Sequence, residues 1–468
     1  MHRMRRYLRV VAGALCGLVV GAGSAGCTGG LGGVRGEPGG AGLRDPLFPR
    51  LGNGGYDVRH YLLTLDYDPA SGRLSGTAEI LARATRDLSA FNLDLHRLTT
   101  DEVTVDGDPA AARRTGDELT IRPRADIRRG AHFRTVVRYS GLPRAITDAD
   151  GSKEGWLRTA TGAVALGEPA GSAAWFPGNH HPSDKATYDL AITVPKGVTA
   201  VSNGDLARRS TTGRGDTTFV WRSAEPMASY LATLAIGPYE ITRTRTEGGL
   251  PVIGAADAAV VEATRGVAKR VPEFLDWAAG RFGPYPFSTA GVIAVPDGVA
   301  AYALETQNRP VIPAGMFDVP TVVHELAHQW YGNSVSPATW KDIWLNEGFA
   351  TYAEWLWAED REGTPAADSF AEAFADDANW AFPPAEPPSA EQLTEAPVYG
   401  RGAMVLHQVR RAVGDRVFFE LLRGWPAAHR HGNASTADFT AYAEKLSGKD
   451  LDKVWDVWLY GDGRPARP

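Results

Sequence analysis

The pentapeptide His324-Glu325-Leu326-Ala327-His328 constrains this chain more than any other stretch of its sequence. Two histidines four residues apart on a helix lie one turn apart on the same face, so their imidazole nitrogens can converge on one ion. The flanking residues favour a helix here, because Asp318 suits its N-cap, Pro320 its first turn and Gly332-Asn333 its end. The sequence therefore predicts a metal-binding helix.

A carboxylate from a second helix can complete the set of ligands. Glu347 follows His328 after eighteen intervening residues, inside the segment W-L-N-E-G-F-A. Two imidazoles and one carboxylate leave the fourth position of a Zn²⁺ ion open for water, which is typical of a catalytic rather than a structural site. We therefore predict one Zn²⁺ per chain, held by His324, His328 and Glu347. Glu325 lies beside the first ligand, where it can act as the general base toward that water.

Length and charge limit the class of protein. A chain of 468 residues is long enough for two or three domains with a large core. Its 55 acidic and 49 basic residues give a formal net charge of −6, and no basic block interrupts the sequence. This balance argues against a nucleic-acid partner.

The first 27 residues have the pattern of a bacterial lipoprotein signal peptide. Four arginines within the first nine residues precede an apolar stretch over residues 10–22, which is too short to span a membrane. The segment Ser24-Ala25-Gly26-Cys27 resembles a lipobox, with Ser24 where leucine is usual. We predict an exported protein, anchored to the outer face of the cell membrane by a lipid on Cys27. The alternative is an ordinary signal peptide that is cleaved nearby.

The segment after the signal peptide predicts a linker and then a β domain. Residues 28–46 are rich in glycine and predict a flexible linker. Within residues 47–245, runs such as 61–67 and 187–194 are rich in β-type residues and are separated by turn signals. This region predicts an N-terminal antiparallel β domain.

The character of the sequence changes after residue 245. Apolar residues recur at helical spacing over residues 257–282. Further helices are predicted around Glu347, running to about Trp357, and over residues 402–413. We therefore predict a second, catalytic domain over residues 246–468. The predicted fold class is a multidomain α+β protein.

The H-E-L-A-H motif with Glu347 in W-L-N-E-G-F-A resembles the aminopeptidase N family of zinc metallopeptidases. The likeness extends to the β domain, where Tyr56-Asp57-Val58, Trp175-Phe176-Pro177 and Asp184-Lys185-Ala186-Thr187 are similar to family motifs. The resemblance implies a thermolysin-like α/β catalytic domain and the removal of N-terminal residues from peptide substrates. We expect a short form that lacks the helical C-terminal domain of larger family members.

The resemblance also implies roles for three further residues. Glu305, in Tyr302-Ala303-Leu304-Glu305-Thr306, matches the glutamate of the family's G-x-M-E-N motif and would bind the substrate's α-ammonium group, for which a buried carboxylate is suited. Tyr302 replaces the glycine that would let the backbone approach a substrate closely. Glu168 matches a second contact to the same amine. Tyr399 matches a tyrosine whose hydroxyl stabilises the developing oxyanion.

Several alternatives remain open at this point. The chain could be a zinc endopeptidase in which Glu305 binds no free amine, or a non-catalytic surface lipoprotein that binds a ligand. His180-His181 with Asp184 could suggest a second metal site, but a structural role is favoured because adjacent side chains point in different directions. Asp342 and Asn346 could orient the metal ligands or cap a helix.

Overall fold

The computed structural model describes residues 34–466. The predicted signal peptide, Cys27 and residues 28–33 of the predicted linker lie outside the described residues. The first strands along the described chain are β1 (Glu37–Pro38), β2 (Tyr56–Asp68), β3 (Arg73–Ala84), β4 (Leu88–Asp94), β5 (Thr99–Val105), β6 (Asp108–Pro109), β7 (Ala111–Thr115), β8 (Glu118–Arg122), β9 (His132–Gly141), β10 (Ala145–Thr147), β11 (Lys153–Arg158), β12 (Ala163–Leu166), β13 (Lys185–Val194), β14 (Thr199–Ser202), β15 (Asp205–Thr211), β16 (Thr217–Ala228) and β17 (Leu234–Gly237).

The largest sheet has eight strands in the order β15-β16-β13-β2-β3-β9-β5-β6. Its neighbours pair antiparallel except β2 and β13, which pair in parallel with Tyr61 opposite Tyr188. In β2, Leu63 and Leu65 are buried while Thr64 and Asp66 are exposed, as the two-residue period of a strand with one covered face requires. The predicted β domain is confirmed, with this one parallel pair inside a mainly antiparallel sheet.

Two smaller sheets complete the β region. One has the order β1-β4-β8-β7 and the other the order β10-β11-β12-β17-β14. The second of these matters for the site, because the loop between β10 and β11 and the end of β12 both reach the main cavity. The neighbouring strands of this second sheet all pair antiparallel.

The remaining elements build the α/β part of the chain. Its strands are β18 (Tyr239–Arg245), β19 (Pro251–Asp257), β20 (Ala290–Val295), β21 (Val311–Pro313), β22 (Ser336–Pro337) and β23 (Asn433–Ala434). Its helices are α1 (Val261–Ala268), α2 (Val271–Phe282), α3 (Val319–Ala327), α4 (Trp344–Trp357), α5 (Ala366–Ala375), α6 (Gly402–Val413), α7 (Asp415–Ala428), α8 (Thr436–Ser447) and α9 (Asp452–Val454). Within residues 34–466, no helix combines the length and the apolar character that crossing a membrane requires.

The sheet of this second part begins earlier than the predicted boundary at residue 245. Its strand order is β18-β19-β20-β21, with β18 antiparallel to β19 and the other neighbours parallel. Because β18 ends at Arg245, pairing places it with the later sheet rather than with the β domain. The helical region predicted over 257–282 also differs, since it divides into α1 and α2. Pro272 lies in the first turn of α2, where its missing N–H costs no hydrogen bond.

The predicted flexible linker is packed against the fold in its described part, residues 34–46. β1 pairs with β4, and a Cβ atom on Gly36 would lie 2.4 Å from the backbone carbon of Leu88. Glycine is therefore required here for close backbone packing rather than for flexibility. Asp45 is buried and accepts a hydrogen bond from the backbone N–H of Trp340 at 2.8 Å. This segment is thus fastened to residues far away in the sequence.

Candidate active site

Helix α3 presents two histidines to the cavity. Its N-cap is Asp318, whose carboxylate accepts a hydrogen bond from the N–H of Thr321 at 2.9 Å, as predicted for this residue. Val322 and Leu326 are buried and fix the rotation of the helix against the core. His324 and His328 consequently lie one above the other, with ring centroids 4.7 Å apart. His328 is the first residue after the helix but keeps a helical backbone.

Helix α4 brings Glu347 to these histidines. The backbone of α4 lies against the start of α6 because both helices carry glycine at the crossing. A Cβ on Gly348 would lie 2.8 Å from the backbone carbon of Gly402. Glycine next to Glu347 therefore sets the depth at which the carboxylate enters the cavity.

Three side chains converge on one point. Oε2 of Glu347 lies 3.2 Å from Nε2 of His324 and 3.4 Å from Nε2 of His328. The ligand atoms of the three residues all lie within 4.8 Å of one another. Two imidazole nitrogens and one carboxylate oxygen are a donor set that Zn²⁺ prefers, so these residues could hold the ion.

The electrostatics of this cluster favour a positive charge at its centre. Burial alone would lower the pKa of His328, but the charges of Glu347 and Glu305 outweigh it and raise the pKa to about 9. Burial would likewise raise the pKa of Glu347, but the charge of His328 and hydrogen bonds from His324 and His328 lower it to about 2. A site that holds Glu347 ionised and attracts protons to its imidazoles is suited to a divalent cation.

A hydrogen-bond partner at Nδ1 orients the ring of each histidine. Nδ1 of His324 lies 2.6 Å from Oε1 of Glu354, and Nδ1–H of His328 donates to the backbone oxygen of Tyr331 at 3.0 Å. Such partners fix each ring so that Nε2 faces the metal position. Glu354 was not among the predicted residues. Its position seven residues after Glu347, two turns along the same helix face, is the signal that could have found it.

Glu325 lies in the same cavity with an unused oxygen. The residue is 5% exposed, and its Oε2 has no hydrogen-bond partner among the described residues. Burial raises its pKa to about 8 against the opposing charges of His324 and His328. A buried carboxylate that gains a proton this readily is suited to general-base chemistry near neutral pH.

Glu305 is held by its backbone, while one oxygen of its side chain has no partner among the described residues. Its carbonyl oxygen accepts hydrogen bonds from Nε2 of Gln329 at 3.1 Å and Nδ2 of Asn333 at 2.6 Å. The residue is 3% exposed, and its Oε1 has no hydrogen-bond partner among the described residues. Burial raises its pKa, against the opposing charge of His328. Sequence reasoning missed the support from Gln329 and Asn333, because side-chain contacts to a distant carbonyl leave no local pattern.

Glu168 and Tyr399 complete the predicted set. Glu168 is half-buried, and burial followed by the charges of Glu305 and Glu347 raises its pKa well above the usual range. Tyr399 lies in a π-helical turn over Pro397–Arg401, and its ring stacks on that of His324 with centroids 6.1 Å apart. Burial and the charge of Glu347 raise the pKa of Tyr399, so its hydroxyl remains a donor.

All the predicted site residues line one cavity of about 470 Å³. Its other lining residues come from the β domain and from loops of the second part: Asp148, Asp150, Ser152, Pro169, Ala301, Tyr302, Ala303, Met316, Thr321, Glu354, Leu393 and Thr394. The volume is typical of a small-molecule or peptide-end site. The structure therefore brings together residues that are up to 231 positions apart, from Glu168 to Tyr399.

The other predicted candidates do not join this cavity. Nε2 of His180 faces the backbone oxygen of Phe176 at 3.1 Å, and Nε2 of His181 faces Oδ2 of Asp45 at 3.1 Å. The structural role favoured for the histidine pair is thus the one observed. Asp342 forms a capping box with Thr339 and so acts as a helix cap.

Two family profiles match the chain. The peptidase M1 N-terminal domain matches residues 57–231, and the peptidase family M1 domain matches residues 316–458. The crystal structure of an M1 zinc metallopeptidase from Deinococcus radiodurans is 30% identical, has a TM-score of 0.84, and matches over 91% of this chain and 98% of its own. The chain belongs to peptidase family M1. The predicted order of β domain and catalytic domain is confirmed by this match.

Two further comparisons define the extent of the similarity. A mutant of an M1 zinc metallopeptidase from D. radiodurans, solved with a Tyr-Ser-Ala substrate, is 29% identical with a TM-score of 0.84 and covers 91% of this chain. Aminopeptidase M1 of Arabidopsis thaliana is 28% identical over 361 residues. That alignment covers 70% of this chain and 39% of the plant protein, so this chain spans about two-fifths of that relative. The solved M1 structures identify zinc as the cofactor of the family site described above.

Proposed function

We propose that this chain is a zinc-dependent aminopeptidase that removes residues from the free amino terminus of peptides. The observation that carries the proposal is the Oε1 of Glu305, which is unpaired among the described residues and lies beside the metal ligands. Glu305, Glu325 and His328 each offer an atom within 4.8 Å of the others. In a peptide, the α-ammonium nitrogen is separated from the first carbonyl carbon by one Cα atom. An ammonium bound at Glu305 therefore brings the first peptide bond, and no later one, to the metal ligands.

The acidic environment of Glu305 supports the capture of an amine. Its Oε1 is buried without a partner, which is costly until a cation arrives. Glu168 lies close enough for its pKa to respond to the charge of Glu305, and it lines the same cavity. An ammonium group has three N–H donors, so both carboxylates can accept from it at once.

The residues around the ligands supply the rest of the chemistry. Zinc held by His324, His328 and Glu347 would lower the pKa of a water molecule and polarise the scissile carbonyl. Glu325 takes a proton from the attacking water at its free Oε2 and then transfers it to the leaving nitrogen. Tyr399 donates its hydroxyl hydrogen to the carbonyl oxygen as that oxygen gains negative charge.

The test compares a fluorogenic aminoacyl reporter and a short peptide with the N-acetylated twin of that peptide. We expect the free-amine substrates to be hydrolysed, the acetylated peptide to resist, and a chelator to abolish activity that added zinc restores. Equal rates on the peptide and its acetylated twin would establish an endopeptidase instead. Protein that contains one zinc ion per chain but hydrolyses no substrate of a broad panel would support the non-catalytic binding lipoprotein.

We also propose that the protein is exported and anchored to the outer face of the cell membrane by a lipid on Cys27. The basic start, the short apolar stretch and the lipobox-like Ser24-Ala25-Gly26-Cys27 support this. Metabolic labelling with a fatty-acid analogue in a bacterial host should label the protein, and Cys27→Ala should lose the label and shift the protein to the soluble fraction. Labelling that survives Cys27→Ala would contradict the anchor.

A further inference from the structure

The main cavity contains more carboxylates than the proposed reaction uses. Seven line it, and none of its described lining residues is a lysine or an arginine; the seven are Asp148, Asp150, Glu168, Glu305, Glu325, Glu347 and Glu354. The proposed reaction assigns Glu347 to the metal, Glu354 to the orientation of His324, and Glu325 to the base. The remaining two glutamates, Glu168 and Glu305, bind the α-ammonium group of the substrate. Asp148 and Asp150 are left with no role.

These two aspartates are held at the cavity by the loop between β10 and β11. The N–H of Ser152 donates to Oδ1 of Asp150 at 2.8 Å, and Oγ1 of Thr394 donates to Oδ2 of Asp150 at 3.1 Å. Thr394 lies in the segment that leads to Tyr399 and lines the cavity itself. The loop is thereby fixed to the segment that carries Tyr399, and both aspartates line the cavity that contains the metal ligands.

Tyr302 lines the same cavity as these two aspartates and Glu168. Its hydroxyl is sealed from solvent, and it has no hydrogen-bond partner among the described residues. The charges that act on its hydroxyl come from Glu154, Glu168, Asp148 and Asp150. The tyrosine that replaces the family glycine therefore shares one cavity wall with Glu168 and the two unassigned aspartates.

The side chain of a substrate's first residue branches from the same Cα atom as the α-ammonium group. With the amine at Glu305 and Glu168, that side chain begins inside the cavity that Tyr302, Asp148 and Asp150 also line. Glu305 is 3% exposed and its Oε1 has no hydrogen-bond partner among the described residues, so this cavity suits a cationic ligand. A second positive charge on that ligand would meet the carboxylates of Asp148 and Asp150.

We propose that Asp148 and Asp150 determine specificity by favouring substrates whose first residue is arginine or lysine. The inference rests on the proposed aminopeptidase function, because it needs the amine to be bound at Glu305. A guanidinium group offers five N–H donors, enough to bind both aspartates at once. A neutral side chain of similar shape brings no positive charge to these two carboxylates.

The test uses zinc-loaded enzyme and matched pairs of aminoacyl-coumarin reporters: arginine against citrulline and lysine against norleucine. Each pair differs in charge but little in shape. We expect kcat/KM for each charged member to exceed its neutral partner by about tenfold, the worth of one charge-assisted hydrogen bond. The double variant Asp148→Asn/Asp150→Asn should bring both ratios close to one, because it removes the negative charge that distinguishes the two members of each pair. Asp101→Asn, an exposed aspartate on β5, is the matched control and should keep both ratios.

The outcomes separate this inference from the function on which it rests. If citrulline and norleucine reporters are cleaved but the charged members are not preferred, the specificity inference fails and the aminopeptidase function stands. Ratios that persist in the double variant would also overturn it, because the preference would then arise elsewhere. If no reporter is cleaved by zinc-loaded enzyme, the proposed function fails and this inference fails with it.

Discussion

The ammonium group of Lys185 donates to the backbone oxygen of Asn333 across 2.8 Å and so ties the first strand residue of β13 to the segment after the metal-binding helix. It also donates to the oxygens of Ser334 at 2.9 Å and Gly432 at 3.2 Å. Asn333 in turn donates from Nδ2 to the backbone oxygen of Glu305. The β domain is therefore connected to Glu305, the proposed amine-binding residue, through the single intermediate residue Asn333.

Replacement of this lysine should weaken substrate binding more than turnover. Lys185→Met nearly keeps the length of the side chain but removes a donor that three carbonyls share. The oxygens of Gly432 and Asn333 also accept from the N–H and the hydroxyl of Ser336, so the cost of about 1–3 kcal/mol falls on the oxygen of Ser334. Relaxation of the segment should displace Glu305, and we expect KM for an aminoacyl reporter to rise about tenfold while kcat changes less. Steady-state kinetics check this. Lys453→Met, at an exposed lysine, is the control. An unchanged KM in folded, zinc-loaded Lys185→Met would contradict the positioning role.

Loss of the carboxylate behind His324 should weaken zinc binding. Glu354→Gln retains the shape of the side chain but removes the charge that accepts from Nδ1–H of His324 at 2.6 Å. Partners of this kind contribute about 10–100-fold to metal affinity, so we expect a drop of that size in a competition titration with a chelating dye. Glu372→Gln, exposed on α5, should bind zinc like the unmodified protein. Equal affinity in Glu354→Gln would show that the ring is held by packing alone.

The proposed role of Glu325 as general base can be tested without changing the metal ligands. Glu325→Gln keeps the volume of the side chain and lies on α3 beside the ligands without being one of them. We expect turnover to fall by at least about 10²–10⁴-fold while zinc content, measured by elemental analysis, stays at one ion per chain. Substantial residual turnover would remove Glu325 from its proposed role.

The hydroxyl of Tyr399 should act on kcat rather than on binding. Tyr399→Phe preserves the ring that stacks on His324 and removes only the donor. Because the donor matters most when the carbonyl oxygen becomes negative, we expect kcat to fall about 10²–10³-fold with KM nearly constant. A loss confined to KM would mean that the hydroxyl binds the substrate in its ground state instead.

Short-range signals predicted the elements that carry the metal ligands. The N-cap at Asp318 begins α3, and the predicted end near Trp357 and range 402–413 agree with α4 and α6. These features depend on residues a few positions apart, and such patterns are visible in one sequence. The assignment of roles to Glu305, Glu168 and Tyr399 came instead from the family resemblance, and those roles stay predictions.

Contacts between distant residues could not be predicted in the same way. The bond from the N–H of Trp340 to Asp45 joins residues 295 positions apart, and that from Thr394 to Asp150 joins residues 244 apart. The glycines of residues 34–46 predicted a flexible linker because their composition suits one. The same composition also permits the close backbone contact with β4 that is observed. Composition alone does not distinguish the two outcomes.

The buried carboxylate of Asp184 should make stability depend on pH. It accepts hydrogen bonds from the N–H of Val58 and from the side chain of Asn179, but burial, followed by the charge of Asp57, raises its pKa to about 8. An unfolded aspartate has a pKa of about 3.9, so the folded state holds an extra proton between these values. The resulting stabilisation is fully present below about pH 4 and is lost as pH rises toward about 8, by up to about 1.4 kcal/mol per pH unit for this proton.

The variant Asp184→Asn tests whether Asp184 makes stability fall as pH rises, because asparagine keeps the shape of the side chain but cannot ionise. We expect the free energy of unfolding to fall less steeply with pH in Asp184→Asn than in the unmodified protein. Urea unfolding followed by tryptophan fluorescence between about pH 5 and 7 measures both slopes. The pH range ends at about 7 because burial lowers the pKa of Lys185 to about 7. Above that pH, deprotonation of Lys185 makes stability rise with pH and so opposes the effect of Asp184. Identical slopes for the two proteins would show that Asp184 is ionised in the folded state.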